Sequence, residues 1–424
     1  MTNTTVRKEL LEKISNDIKK TNPTLYLAAF TDDSERRVLK QLIQKEFGHV
    51  LNTEERLDEV VQELVGLGVI DEILKKEKNV TDIQYTHGEL IVSTSHKLPY
   101  VYTYELEDSY IEGVIAKFAH AKRKEFSPKK WKLNTQLGNL RINAVHASKN
   151  SYNRPTMSLR VTEPKLILNK ENFEKFAPMY IYDLLDALIK SNNSFILSGK
   201  TGAGKTELQK LLFGFIKDYE FIIAIEDEVA EGHYKTLYPE KYIMSWLASN
   251  DKELLELIDE GLRNNPDWLT ITEIRRVGAM ALYTALQTGH QIISSIHSKT
   301  AFKNVERFLN MLKTSGENID EAVYLQELNE YLNIGAYVEK KIMPDGTNVR
   351  YLKELVEYKE DGEHILLFSQ SVNEDGTREV RCYPYSQEIQ RKINDTVGLN
   401  YEMAYIKEWE RDQKNGTQKE AIYS

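Results

Sequence analysis

Apolar residues recur at helical spacing over residues 3–21, 34–48 and 53–67, so the chain opens with three amphipathic helices. Asn22-Pro23 and residues 31–34 separate the first two, and Thr53 is placed to cap the third. From about Gly66 the period changes. A short helix over 67–74 leads into strand-like 81–85 and 89–93, a helix over 109–121, and alternating strands at 139–145 and 156–161. This pattern predicts a helical N-terminal extension over 1–52, a smaller α+β domain over 53–164 and a linker over 165–178. Residues 179–424 alternate helix and strand, which predicts an α/β domain on a doubly wound parallel sheet. Past about Asn333 the pattern turns β-rich, with Asp345-Gly346, Asp361-Gly362 and Asp375-Gly376 as hairpin turns. Residues 400–424 predict a helix with a polar tail.

The strongest chemical signal lies at residues 195–206, Phe-Ile-Leu-Ser-Gly-Lys-Thr-Gly-Ala-Gly-Lys-Thr. A short apolar strand, a Gly-x-x-x-x-Gly-Lys-Thr loop and a helical pattern from Glu207 follow one another, the context in which such a loop binds phosphate. Gly199, Gly202 and Gly204 permit backbone conformations that a Cβ would block. With Lys200, Thr201 and Ala203 they form a loop whose N–H groups wrap phosphate at a helix N-terminus. Lys205 would reach the β- and γ-phosphates, and the Thr206 hydroxyl would ligate Mg²⁺. The expected ligands are therefore ATP and Mg²⁺. No Asn-Lys-x-Asp guanine-reading motif follows the loop; Asn169-Lys-Glu-Asn lies upstream and lacks the aspartate.

Three later apolar strands end on ionisable groups. Residues 220–225 end on Glu226-Asp227-Glu228, residues 268–272 on Glu273, and residues 291–296 on His297. Ligands of parallel α/β sheets sit outside the carboxyl ends of the strands, so these groups are directed to the edge that carries the phosphate loop.

Composition narrows the setting. The 424 residues carry a net charge of −9 and no basic stripe interleaved with aromatics, which argues against nucleic acid as a direct ligand. The clusters Lys122-Arg-Lys and Lys129-Lys-Trp-Lys read as ordinary surface, with a partner or anionic lipid as the alternative. One cysteine, Cys382, excludes an intrachain disulfide framework and a multi-cysteine metal site. The apolar runs fall far short of a bilayer span. The expectation is a soluble, cytoplasmic protein attached to a membrane, if at all, through partners.

Taken together, these motifs resemble the secretion traffic ATPases, the superfamily driving type II and type IV secretion, conjugation and type IV or Tad pili. Beyond the phosphate loop, Ile225-Glu-Asp-Glu is similar to its aspartate box. Residues 262–275, Leu-Arg-Asn-Asn-Pro-Asp-Trp-Leu-Thr-Ile-Thr-Glu-Ile-Arg, are similar to its Walker B segment, and Thr288-Gly-His290 through Ile296-His297 to its histidine box. Upstream, Leu64-Val-Gly-Leu-Gly-Val-Ile-Asp, Val80-Thr-Asp-Ile, Leu140-Arg141-Ile-Asn-Ala-Val and Ser158-Leu-Arg160 resemble the N-terminal domain of the Tad/conjugation branch. The resemblance implies a RecA-like ATPase domain, a ring-shaped homohexamer, and ATP held between two domains. It implies Glu273 as general base or water positioner, and Glu226 and Asp227 around the water shell of Mg²⁺. It also implies His290 and His297 as γ-phosphate sensors, and Arg141 and Arg160 as arginines facing the nucleotide. Its partners would be inner-membrane components of a secretion, conjugation or pilus machine, met at the inner face of the membrane. The chain departs from the family at Thr272, where a glycine is usual, at Arg276-Val277 and Gly278, which replace Gly-Gly and a glutamate, and at Glu207, which replaces a threonine. These departures keep open a nucleotide-gated scaffold with little turnover, beside a nucleic-acid-translocating motor on the same core.

Overall fold

The computed structural model describes residues 2–30, 32–102, 106–227, 231–314 and 319–415, without the side chains of 2–9, 227 and 415. The chain divides into two compact units, Met1–Glu163 and Pro164–Ser424.

The first unit begins with helices α1 (Thr2–Thr21), α2 (Pro23–Ala28), α3 (Asp33–Phe47), α4 (Glu54–Val65) and α5 (Val69–Lys76). Asp32 and Thr53 cap α3 and α4 by accepting from the N–H groups of their first turns. Strands β1 (Val80–Thr86), β2 (Glu89–Thr94) and β3 (Tyr100–Tyr102), helix α6 (Asp108–Ala121), and strands β4 (Lys132–Leu137), β5 (Leu140–Val145) and β6 (Thr156–Val161) follow. The strands form one antiparallel sheet in the order β3-β2-β1-β6-β5-β4. Ile14, Ile18, Tyr26, Leu39 and Ile43 of the first helices share one core with Ile83, Ile115, Ile142 and Leu159. The opening helices therefore pack as part of this unit.

The second unit runs α7 (Met179–Lys190), β7 (Phe195–Ser198), α8 (Lys205–Phe215), β8 (Phe221–Asp227), α9 (Tyr234–Leu237), β9 (Tyr242–Ala248), α10 (Asp251–Leu262), β10 (Trp268–Ile271), α11 (Gly278–Gln287) and β11 (Ile293–Ile296). It continues through α12 (Asn304–Lys313), α13 (Glu321–Tyr331), β12 (Ile334–Ile342), β13 (Asn348–Tyr358), β14 (His364–Val372), β15 (Arg378–Cys382), α14 (Gln387–Asp395) and α15 (Ala404–Asn415). Residues 165–178, expected as a linker, place Leu168, Phe173, Phe176 and Ala177 in its core.

Strands β10-β8-β9 pair in parallel, and β11-β7-β12 do likewise. Two parallel bridges, Trp268 to Gln291 and Glu273 to Ser295, join the two groups edge to edge. The β-rich stretch after Asn333, expected as hairpins, extends this sheet by antiparallel pairing through β15, so the parallel core continues into a mixed sheet. The three Asp-Gly pairs connect β12 to β15, with Gly346, Gly362 and Gly376 at positive φ. Alternation along β7 fixes the layers: Phe195 and Leu197 face the core shared with α7, α8, α14 and α15, while Ile196 faces that of α10 to α13. A strand buried on both faces tends to be continuously apolar, as β7 and β10 nearly are, whereas the equally buried β11 carries Ser294 and Ser295 at its centre.

Candidate nucleotide site

The loop after β7 is shaped by what lies beside it. Tyr337 of β12 pairs with Ser198, which brings Val338 alongside Gly199. A Cβ at Gly199 would meet the Val338 carbonyl oxygen at 2.3 Å, and φ there is 147°. Gly202 and Gly204 also have positive φ, at 74° and 106°, and nothing lies within 4 Å of a Cβ built at Gly202. The loop is thus an open cradle leading into the N-terminus of α8, which fits a phosphate chain. Lys205 donates to the Gly199 carbonyl at 3.0 Å and to that of Lys200 at 3.5 Å. Burial holds its ammonium below the ordinary lysine range, with the Glu273 carboxylate acting in the opposite sense. Thr206 stands in the first turn of α8, and Lys200 and Thr201 line the outer side of the loop.

Register places the other candidates. Ile225 pairs with Ile271, Glu273 bridges to Ser295, and Ser295 pairs with Leu197. Counting along these pairs, Asp227, Glu273, Ser295 and Leu197 lie in one row, two residues short of Gly199. The Glu273 carboxylate accepts from Arg275 at 3.3 Å and meets His297 Nε2 at 3.0 Å. Both partners are exposed enough to move with a ligand, whereas the Ser295 hydroxyl pins the backbone behind them by donating to the Thr272 carbonyl at 2.8 Å. Thr272, standing where the family has glycine, fits the ladder: its N–H donates to the Ile225 carbonyl at 3.2 Å. At Gly278 a Cβ would meet Ile271 Cδ1 at 3.0 Å, so the glutamate usual in the family would need this side chain to shift by a few tenths of an ångström.

Glu226 is 2% exposed and accepts the N–H groups of Glu231 and Gly232 at 3.0 and 2.6 Å. Burial pushes its carboxyl up to about 7 from the ordinary 4.5. The native state therefore keeps a proton that the unfolded chain loses between those values, and stability should fall as pH rises from about 4.5 to 7. In thermal melts without nucleotide, Glu226→Gln should equal the parent near pH 4.5. By pH 8 it should exceed the parent by on the order of 3 kcal/mol. Parallel curves for the two proteins would show that this carboxyl does not titrate in that window.

One residue falls elsewhere than expected. His290 precedes β11, where its Nδ1 lies 2.9 Å from the Thr288 hydroxyl and 3.2 Å from the Ala285 carbonyl. Because β7 and β11 run parallel, it stands at the sheet edge opposite the phosphate loop. The seven residues that separate it from His297 span on the order of 20 Å when extended. His290 is thus not brought to the phosphate loop of its own chain. Asp227 ends β8 with its side chain outside the described residues, as is all of Glu228.

Two other residues touch the site without having been singled out for it. Arg350 of β13 donates from Nε to the Gly202 carbonyl at 2.9 Å. Glu207 pairs with the buried Lys210 at 2.9 Å and accepts the Ile167 N–H at 3.2 Å, tying the first turn of α8 to the start of the unit. In the first unit, Arg141 and Arg160 face each other across β5 and β6. Directly opposed like charges cost stability unless acids or an anion answer them; Asp82 answers Arg160 at 3.1 Å. Among the described residues no three His, Cys, Asp or Glu side chains gather as a metal cage. The oxygen donors of Thr206 and Glu226 suit Mg²⁺, which keeps several waters and takes few protein ligands.

Fold and site together define a phosphate-loop α/β protein with an N-terminal antiparallel domain. The chain matches the Type II/IV secretion system protein family over residues 128–331. An uncharacterized protein of Bacillus anthracis is 36% identical over 409 residues, covering 93% of this chain and 91% of that protein. The type IV secretion system protein VirB11 of Bartonella quintana is 31% identical over 138 residues, 31% of this chain and 37% of VirB11. Among solved structures, the ATPase DotB of Yersinia pseudotuberculosis aligns with a TM-score of 0.50 at 17% identity, over 70% of this chain and 79% of DotB, a likeness of fold. This chain belongs to the type II/IV secretion system ATPase family. No helix among its described residues is long and apolar enough to cross a membrane.

Proposed function

We propose that this chain is a RecA-like motor ATPase that works as a homohexamer. It hydrolyses ATP with Mg²⁺ at the inner face of the cell membrane, in contact with inner-membrane components, to drive type IV secretion, conjugation or pilus assembly. Among the branches of the family, the upstream motifs favour the Tad/conjugation branch. The observation that carries hydrolysis is the convergence at one sheet edge: Glu273, held by His297 and Arg275, stands level with the phosphate-loop strand and acts electrostatically on Lys205.

In this mechanism Glu273 orients the attacking water and accepts its proton. The water oxygen bonds to the γ-phosphorus while the bond to the bridging oxygen of ADP breaks, and ADP leaves with that electron pair. Lys205 and the loop N–H groups hold the β- and γ-phosphates through the step. When Mg²⁺ is bound it neutralises charge on those oxygens, with Thr206 as its protein ligand and Glu226 and Asp227 at its water shell. His297 holds the Glu273 carboxylate and is placed to respond when the γ-phosphate departs. Arg141 and Arg160 complete the charge balance on the transferring phosphoryl group, a task suited to the planar guanidinium fork.

Arg141→Ala and Arg160→Ala test this. Each should lower turnover at least tenfold with ATP affinity within a few-fold of the parent, since an arginine acting on a transferring phosphoryl group is worth about 10³ to 10⁵ in rate. Parental turnover in both variants, measured by phosphate release, would remove the first unit from the chemistry.

A further inference from the structure

We infer that the connection between α6 and β4 together with the first residue of β4, residues 122–132, is a contact surface for an anionic lipid bilayer. The inference rests on the membrane-side placement proposed above and supplies the residues for it. The segment reads Lys-Arg-Lys-Glu-Phe-Ser-Pro-Lys-Lys-Trp-Lys, six cations and one acid in a chain whose net charge is −9. Lys122, Arg123, Lys124, Lys129, Lys130 and Lys132 are all exposed. Among the described residues, no carboxylate pairs with any of them. Between the lysines stands Trp131, 40% exposed, whereas Trp268 is fully buried. Lys124, Lys129, Lys130, Trp131 and Lys132, with Glu125, line a surface hollow of about 310 Å³.

The surface is pre-formed. Ser127 N–H donates to the Lys130 carbonyl at 3.2 Å, and Lys130 N–H donates back to the Ser127 hydroxyl at 3.2 Å. The Ser127 hydroxyl also donates to Glu125 at 2.6 Å, which occupies the one acid locally. The Trp131 carbonyl accepts the His146 N–H at 2.7 Å, and the Phe126 ring meets the His146 ring edge-on at 5.3 Å. With the backbone fixed in this way, Lys124 Nζ donates to the Asn134 carbonyl at 2.7 Å, and the other charged groups and the indole face the solvent.

That combination matches a bilayer surface. An indole settles at the headgroup level, lysine stems lie along apolar surface while their charges stay wet, and each cation near an anionic leaflet adds to binding. A nucleic-acid strand would need an extended basic track with successive aromatics for its bases, and beyond this patch the chain is predominantly acidic.

The test uses the purified full chain with vesicles of phosphatidylcholine mixed with phosphatidylglycerol, against phosphatidylcholine alone. The parent should co-sediment with the anionic vesicles only, release at high salt, and show a blue shift of tryptophan emission that Trp131→Phe abolishes. The triple variant Lys129→Gln, Lys130→Gln, Lys132→Gln should bind about a hundredfold more weakly, with ATP turnover unchanged. Parental vesicle binding by that variant would overturn the assignment of this loop while leaving the membrane-side placement standing. A parent that binds no vesicle, or that binds single-stranded DNA or polyglutamate through this loop instead, would overturn it as well. Recovery of the protein in the membrane fraction of cells then decides the placement separately.

Discussion

A chain carrying Lys205→Ala should lose ATP affinity by about a hundredfold. Its ammonium is held over the loop by the Gly199 carbonyl and is already partly desolvated. A charge-assisted bond to phosphate contributes ~1.5–3 kcal/mol, and the substitution removes at least one such bond. Calorimetric titration with ATP and Mg²⁺ reads the effect directly. The fold should be unaffected, because Lys205 pairs only with loop carbonyls and its removal leaves no buried charge. An affinity within threefold of the parent would mean that the phosphates bind elsewhere.

The second large effect is expected at Glu273. Glu273→Gln keeps the shape and can still meet His297 and Arg275, but it cannot take a proton. Turnover should fall by about 10² to 10⁴, the range of a lost general base, while ATP binds as before. Single-turnover phosphate release separates the two steps. Parental turnover in this variant would move the proton-accepting role to another carboxylate, with Glu226 the next candidate.

The parts of this site written locally were legible in the sequence. Strand, glycine loop and helix are consecutive at 195–215, so the cradle needs no tertiary information. Strand-end carboxylates could be placed because a parallel sheet sends its carboxyl ends to one edge. What the sequence does not display is pairing between distant segments. Arg350 reaches Gly202 only because β12 pairs with β7 and β13 with β12, a contact between residues 148 apart. His290 misled for the opposite reason: a motif spacing of seven looks local, yet along an extended strand it carries the side chain to the far edge. Strand β4 escaped because its outward positions, Lys132, Asn134 and Gln136, give too polar a pattern beside the lysine cluster. Glu226 read as a simple metal-site acid, whereas its buried carboxylate accepts the N–H groups of Glu231 and Gly232, a tertiary contact that its own strand does not display.

The most direct test of the account is multiple-turnover phosphate release from ATP by the purified full chain, with and without Mg²⁺. Many ATP molecules should be hydrolysed per chain, dependent on Mg²⁺ and lowered by about 10² to 10⁴ in Glu273→Gln. Stoichiometric ATP binding with no turnover beyond a single equivalent would contradict it and leave a nucleotide-gated scaffold in its place.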